Sequence, residues 1–574
     1  VKTELSIRIA GEAGQGIATI SSFLCTIFKK AGFNIFANMD YMSRIRGGNN
    51  FFQIRISGNP VYTLREKIDI LIPLNKESIA LHKNDCRDDA LIFADRQKHQ
   101  IQETGDAITD IPFYKLAKKA GASEKYVNTV ASGFIAGFLG IDFSIVEKVL
   151  KDTFQNKGTD VVTKNIALAH AGYEYAESLH QSSQANDFKL KPGMDKEELL
   201  INGNEAIALG AIKAGMKFYS AYPMTPSTSI MNTVAHFSHH YDILVEQAED
   251  EIAAINMAIG ASFAGTRSMV GTSGGGFALM QEGISLAGIT ETPAVIAVSQ
   301  RPGPATGFPT RTEQADLNFI IHSGHGEFAK AVFCPGTIEQ CFYLTIKAFQ
   351  MADKYQIPVI IMTDQYLADS VRNVPVFNQE QVKVHSYRIS RAKSETVKNY
   401  KRYRLTDNGI SPRAVPSWIK DAIYIDSDEH TEEGHITESG EIRNLMMEKR
   451  FIKRYQELEK DTEQPFGYYT DTADKLLIGF GSTFNVLKET CESLKDKNIG
   501  FIHISQIWPF PKNFITPILK DRQVYTVENN AGAQLAGLIL RETGIKTRGS
   551  ILKYDGRPFN LDLLIREIKE KILS

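Results

Sequence analysis

The sequence predicts a multidomain α/β protein, and three observations carry the prediction. Runs such as Ile68-Asp-Ile-Leu-Ile-Pro-Leu74, Val295-Ile-Ala-Val-Ser299 and Val359-Ile-Ile-Met362 are short and almost wholly apolar, as strands buried on both faces of a parallel sheet must be. Helical runs with apolar residues three and four apart lie between them. This alternation continues over 574 residues, too many for one core, so three to four domains are expected.

Composition narrows the function classes. A chain 43% hydrophobic and 23% charged is ordinary for a globular protein, and a net charge of −2 gives no reason to expect nucleic acid or an anionic membrane as partner. No apolar run approaches the roughly 18 residues that a membrane span needs. The opening Val1-Lys-Thr-Glu-Leu5 carries no apolar signal segment, so a cytoplasmic protein is expected. The five cysteines, Cys25, Cys86, Cys334, Cys341 and Cys491, form no Cys-x-x-Cys pair, which argues against a zinc site, a Cys-ligated iron–sulfur cluster or a disulfide framework. A reaction that needs a cluster must therefore find it in another subunit.

Residues 4–10 alternate as a strand, then Gly11-Glu-Ala-Gly-Gln-Gly16 leads into a helix carrying Ile17, Ile20, Leu24, Ile27 and Phe28, with Gly32 as its stop. Strand, glycine turn and helix start make a seat for a phosphate or pyrophosphate; a ligand-free βα turn is the other reading of Gly11, Gly14 and Gly16. Their spacing is not the dinucleotide Gly-x-Gly-x-x-Gly, and Asp40 stands late for a ribose carboxylate, which argues against NAD. Arg44, Arg46, Gly47, Gly48 and Asn49 read as a polar loop, and Ala90–Ala94 as a further buried strand. The aperiodic polar stretch 183–197 is the best linker between a domain at 1–182 and the next.

The second domain, 198–375, opens with a helix over Asn202–Ala214 and a short strand at Phe218–Ala221. In Tyr222-Pro-Met-Thr-Pro-Ser-Thr228, Pro223 and Pro226 each fix their backbone, and Thr225 reads as a helix N-cap with Pro226 at the first helical position. Gln247–Ala264 reads as helical, opening with Glu249-Asp-Glu251. Acidic residues there complement the helix dipole, while Glu251, with Ile255 and Ala258 on its face, can also point at a buried ligand. Ser268–Gly276 reads as a strand ending in three glycines, Gly274 and Gly275 among them, that permit close approach of a ligand ring or simply make a flexible turn, with a helix from near Phe277. The loop Gln300–Asp316 follows a strand at its C-terminal end, where α/β folds bind substrate.

The stretch 376–465 is the least regular. Its acidic segment Asp426–His435 holds two histidines without matched ligand spacing, so a solvated loop is expected rather than a metal site. From Leu476 the α/β pattern returns, with strands at Leu476–Phe480, Phe501–Ile504 and Gln523–Glu528 and helices at Phe484–Leu494 and Asn529–Glu542, giving a last domain at 466–574.

The Tyr222 motif resembles the Tyr-Pro-x-Thr-Pro signature of the 2-oxoacid:ferredoxin oxidoreductases, and the resemblance runs over nearly the whole chain. Gly11–Gly16 and Arg46-Gly-Gly48 resemble the glycine motifs of the family's gamma domain, and Gly409-Ile-Ser-Pro-Arg413 recurs in the family. The resemblance implies a gamma-type α/β domain fused ahead of a thiamine-diphosphate, pyrimidine-binding fold and a transketolase C-terminal-like domain. It implies thiamine diphosphate and coenzyme A as cofactor and cosubstrate, and ferredoxin as electron acceptor. A carboxyl group must meet the aminopyrimidine of the cofactor, which supplies the carbanion chemistry. Glu251, nine residues ahead of Gly260-Ala261, matches the family's glutamate, with Glu249 as the other candidate. Tyr222, Pro223, Gly274 and Gly275 would line the same cofactor. Arg301 matches the family's loop arginine and would clamp the 1-carboxylate with help from Thr225. Arg311 is the candidate for a distal carboxylate, or else pairs with Glu313 or Asp316.

No Gly-Asp-Gly diphosphate motif is present. The diphosphate, its Mg2+ and a 4Fe-4S cluster are therefore expected on a beta-type subunit, in an (alpha-beta)2 assembly, with no metal held by this chain. A 2-oxoglutarate reaction is expected, with pyruvate or a branched 2-oxoacid as the alternative. A non-catalytic scaffold that binds coenzyme A or docks ferredoxin, and an NAD-linked enzyme using the first glycine loop, are the rival classes.

Overall fold

The computed structural model describes residues 2–43, 47–101, 108–122, 126–179, 188, 190–193, 197–380 and 382–574. It divides into two compact units, Val1–Ile201 with Ser370–Val376 and Asn560–Ser574, and Asn202–Asp369 with Phe377–Phe559. Arg44 and Arg46 of the expected polar loop, and most of 183–197, lie outside the described residues.

The first unit is built on an eight-stranded mixed sheet. Its central strand, Glu4–Ala13, runs antiparallel to Gly47–Ser57 and parallel to Ile68–Pro73. Facing residues Ile7 and Ile54, and Ile9 and Phe52, are buried together, so register follows from the apolar alternation. Gly47, Gly48 and Asn49 open a strand rather than sitting in a loop, because their backbone completes that antiparallel ladder. Helices Val127–Phe138 and Thr159–Leu179 cross so closely that a methyl group at Gly133 would stand 2.0 Å from the Ala169 carbonyl oxygen.

Two remote segments complete this unit. Val371–Pro375 pairs antiparallel with Asn34–Asp40, and the Asn373 side chain accepts from Ile35 N–H at 2.8 Å. The helix Leu561–Lys571, expected with the last domain, is tied here instead: Asp562 accepts from Glu66 N–H at 2.9 Å, and Leu561 N–H donates to Leu64 O.

The second unit holds two sheets. The larger orders its seven strands as Gln506–Trp508, Ala331–Phe333, Pro358–Asp364, Ala294–Gln300, Ser268–Thr272, Phe218–Ala221 and Leu244–Gln247. All pairs in it are parallel except the first. In the five-stranded sheet, Lys475–Phe480 lies between Ile499–Ile504 and Gln523–Glu528, parallel to both. One apolar cluster runs through both sheets, from Ile255 and Ile296 to Ile478 and Ile502.

The stretch 376–465 contains little regular structure, and its acidic segment Asp426–His435 is a solvated loop only in part, with Asp428 and His435 exposed. His430 is fully buried with its ring 3.9 Å from that of Tyr403, and Glu429 receives Arg450 through both guanidinium nitrogens at 2.9 and 3.1 Å. Among the described residues no group of three or more His, Cys, Asp or Glu side chains could hold a metal ion. No described helix is long and apolar enough to cross a membrane.

Candidate active site

Parallel register brings the C-terminal ends of four strands to one edge of the seven-stranded sheet. Val270 faces Ser220, Thr272 faces Val298 and Gln300 faces Asp364, so Ala221, Thr272, Gln300 and Asp364 end there side by side. The residues that follow each strand build the site.

Beyond Ala221 the chain enters Tyr222-Pro223-Met224-Thr225-Pro226. Thr225 does not cap the next helix. The helix is Thr228–Tyr241 with Ser227 at its N-cap, because the Ser227 amide and hydroxyl both fold back onto the Met224 carbonyl, at 2.9 and 2.8 Å. Asn204, fully buried on the preceding helix, donates to Pro226 O at 2.8 Å and fastens this turn from below. Tyr222 is left 41% exposed.

The acidic triplet is also split. A strand extends to Gln247, and Asp250 is the N-cap, accepting from Ala253 N–H at 2.7 Å, so the helix starts only at Glu251. Glu249 is exposed, whereas Glu251 is 2% exposed and its Oε1 has no hydrogen-bond partner among the described residues. Burial raises the Glu251 pKa and the neighbouring Asp250 charge adds to this, against the lowering effect of its own backbone amide. The contest between desolvation and helix terminus is thus won by desolvation.

After Thr272, Gly274–Leu279 is already helical, so the three glycines form the first turn of a helix rather than the end of a strand. Close approach explains them. A methyl group at Gly276 would stand 2.4 Å from Glu251 Oε1 and 2.2 Å from Thr272 Oγ1, and one at Gly274 would stand 2.2 Å from Asp316 Oδ2. Gly275 faces outward and is exposed.

After Gln300 comes Arg301, whose Nη1 donates to the Thr225 carbonyl at 2.6 Å. The contact uses the carbonyl of Thr225. Asp316 closes the ring: its N–H donates to Gln300 Oε1 at 3.0 Å, and its carboxyl lies against Gly274 within the field of Arg301. Burial pushes the Asp316 carboxyl up to about 6, and the Arg301 charge limits the rise. Glu313 is raised as well, by burial and by Asp316.

The structure therefore joins Glu251, Gly276, Gly274, Asp316, Arg301 and Thr225 in one unbroken series of contacts and charge interactions. Arg311 is reached further along the same loop, where its Cβ lies 3.3 Å from the methyl position of Gly556. Gly11, Gly14 and Gly16 belong to the other unit. There Gly14 and Gly16 take φ of +93° and +81°, and the Gln15 and Asn128 side chains press on Gly11 and Gly16 from within. Asp316, named from the sequence only as a possible ion-pair partner of Arg311, lies instead beside Arg301, and Gln300 was not singled out at all. Gln300, as the last residue of a buried strand before a substrate loop, is the one the pattern could have marked.

A buried carboxyl with an unsatisfied oxygen, beside a glycine cradle, suits a heteroaromatic ring that offers a nitrogen to that carboxyl. The residues present thus fit the aminopyrimidine of thiamine diphosphate. Around the cradle, Ile252, Met257 and Leu279 are left 41–50% exposed on the two helices.

Residues 6–175 match the pyruvate ferredoxin/flavodoxin oxidoreductase domain, 209–449 the thiamine-diphosphate-binding domain of pyruvate flavodoxin/ferredoxin oxidoreductases, and 473–557 core domain II of pyruvate:ferredoxin oxidoreductase. The chain is 34% identical to the 2-oxoacid:ferredoxin oxidoreductase subunit alpha of a Sulfolobus species, over 99% of this chain and 97% of that one. It is 32% identical to the 2-oxoglutarate synthase subunit KorA of Methanocaldococcus jannaschii, over 58% of this chain and 88% of that one. The solved 2-oxoglutarate:ferredoxin oxidoreductase of Magnetococcus marinus, with 2-oxoglutarate, coenzyme A and succinyl-CoA bound, superposes with a TM-score of 0.91 at 31% identity, covering 99% of this chain and all of that one.

Proposed function

Since the chain belongs to the alpha subunits of the 2-oxoacid:ferredoxin oxidoreductases, we propose that its cluster of Glu251, Thr225 and Arg301 forms the pyrimidine- and substrate-binding half of a 2-oxoglutarate-oxidising site. The reaction is 2-oxoglutarate, coenzyme A and two oxidised ferredoxins giving succinyl-CoA, carbon dioxide and two reduced ferredoxins. The observation that carries the reading is the buried, unpartnered Oε1 of Glu251, set beside the Gly276 backbone on the same rim as Arg301. Thiamine diphosphate, when bound, would supply the carbanion chemistry of this reaction.

This chain's residues do the positioning. Glu251, its pKa raised by burial, meets the ring nitrogen and shares a proton there, which a carboxylate of ordinary pKa would do less readily. Gly274 and Gly276 would leave room for the ring, and Tyr222 and Pro223 would line it. Arg301, held in place by the Thr225 carbonyl and by the Asp316 charge, directs its remaining N–H groups at the substrate 1-carboxylate. Arg311 would receive the distal carboxylate.

The diphosphate, Mg2+ and 4Fe-4S cluster would lie on a beta-type subunit seated over the exposed Ile252, Met257 and Leu279, in an (alpha-beta)2 assembly. Five scattered cysteines, four of them buried, support placing the cluster elsewhere. The test is turnover by the complex with its partner, followed by dye reduction. Glu251→Gln and Arg301→Lys are expected to lower kcat/KM for 2-oxoglutarate by about a hundredfold or more, in the range of lost transition-state contacts. Unchanged turnover in Glu251→Gln would leave the chain a scaffold; preference for pyruvate would move the substrate and keep the site.

A further inference from the structure

The loop that carries Arg301 and Asp316 stands on a support borrowed from the five-stranded sheet. Gln314, fully buried in that loop, donates through its amide to Phe480 O at 3.0 Å and Asp364 Oδ2 at 3.3 Å, and accepts from Asn529 N–H at 3.1 Å. Its own N–H donates to Asn529 O at 2.7 Å, and its carbonyl accepts from the Asn530 amide at 3.2 Å. Asn529 in turn donates to the carbonyls of Lys553 and Arg557, at 2.6 and 3.4 Å, which fastens the turn between them. Gly556, buried at the tip of that turn with φ +78°, lies directly beneath the loop. A methyl group there would meet Phe308 Cδ2 at 3.1 Å and Arg311 Cβ at 3.3 Å, and the Gly556 carbonyl accepts from Thr312 N–H at 3.2 Å. The near end of the loop is anchored separately. Phe308 N–H donates to Pro302 O at 3.0 Å, and Arg301 is held by its strand and by Thr225.

We propose that the turn Lys553–Arg557, set by Asn529, is a specificity-determining support: through Gly556 it fixes the height of Phe308 and Arg311 and so decides which distal end of a 2-oxoacid is accepted. The proposal rests on the reading of this cluster as a 2-oxoacid site. Because the Arg301 end has its own anchors, a change at the turn should alter recognition of the far end of the substrate and spare the 1-carboxylate. A side chain at 556 must displace Phe308 or Arg311 by several tenths of an ångström, and it also suffers from the positive φ.

The test uses the complex of this chain with its partner subunit, with Gly556→Ala and Asn529→Ala measured beside the wild type. The second variant frees the turn without placing an atom against the loop, and it decides alone if the first fails to fold. Across a series of 2-oxoacids from pyruvate to 2-oxoglutarate, kcat/KM for the five-carbon dicarboxylate is expected to fall about tenfold or more relative to the short acid, as displacements of a fraction of an ångström to an ångström do. Hydrogen exchange over residues 306–314 should quicken in the same variants while the strand Ala294–Gln300 keeps its protection. An equal loss for every acid, or none, overturns the proposal, as does unchanged exchange in 306–314. A wild-type complex that turns over no 2-oxoacid at all sinks the functional reading and the specificity claim with it, whereas a parallel loss in variants of an active complex sinks only the latter.

Discussion

Asp316 and Glu251 bring carboxyl groups to places where the ionised form is costly, and burial is the leading cause for both. The consequence is clearest for Asp316, pushed up to about 6. An unfolded aspartate titrates near ~3.9, so between that pH and 6 the folded chain binds a proton that the unfolded chain does not. Stability from this group therefore rises as pH falls through 6 towards 4, and above 6 the folded state carries the full cost of the buried charge. Asp316→Asn is expected to be more stable than wild type at pH 8 by roughly 1–3 kcal/mol, with the gain vanishing near pH 4. Melts at the two pH values check this, and a gain independent of pH would contradict it. The same substitution removes the charge beside Arg301, so kcat/KM should change most above pH 6, where the wild-type carboxyl is ionised.

At the scale of elements, the helix starts decide the site. Gly276 sits where Thr272 Oγ1 and Glu251 Oε1 both crowd its missing side chain, so Gly276→Ala must move the Glu251 carboxyl. Turnover is expected to fall at least about tenfold with little change in global melting, since a small displacement at a reacting group outweighs its effect on packing. A variant with normal turnover would separate Glu251 from the chemistry. The irregular stretch 376–465 acts differently. Lys449 and Arg454 hold the fully buried Glu291, in the turn just ahead of the strand Ala294–Gln300, at 2.6 and 2.5 Å, while Arg402 donates to its carbonyl at 2.6 Å. Burial would raise the Glu291 pKa, but Arg454, Lys449 and Arg402 overcome it and hold the carboxylate well below the usual range. Glu291→Gln leaves two buried cations uncompensated and is expected to destabilise by about 3–5 kcal/mol, seen as a large fall in Tm. Removing the half-exposed Lys401–Glu433 pair should lower Tm far less, and equal losses would show that burial is not what matters.

At the scale of the whole molecule, this chain carries the buried Glu251 carboxyl and the loop arginines Arg301 and Arg311 without a Gly-Asp-Gly motif or a cysteine set for a cluster. Co-purification from the native cell is expected to bring down a second chain with an iron–sulfur absorbance, and Ile252→Asp with Leu279→Asp should release it without unfolding this chain. Both side chains are 50% exposed, so the charges cost little in the free subunit and much under a partner. Retention of the partner by that double variant would place the contact elsewhere.

How much of this was legible in the sequence follows from the range of each interaction. Strand identities at Ile68–Pro73, Ala294–Gln300 and Pro358–Asp364 follow from unbroken apolar runs, because a buried parallel strand admits little else. Helix starts were misjudged by two to five residues at Thr228, Glu251, Gly274 and Gln534. At Thr228, Glu251 and Gln534 a side chain or carbonyl distant by a few residues, such as Met224 O, Asp250 Oδ1 or Glu528 Oε2, captures amides near the start, whereas at Gly274 the glycines turn helical earlier than their propensity suggests. The sequence by itself determined the α/β class, the motif residues and the absence of a cysteine cluster set, since these depend on periodicity and on which atoms the chain possesses. Only the tertiary structure decided that Arg301 meets Thr225, that Asp316 joins them, that Glu251 rather than Glu249 is buried, and that Gly556 lies under Arg311. Those contacts span from tens to hundreds of residues, and no local pattern records a partner that only sheet register brings within reach.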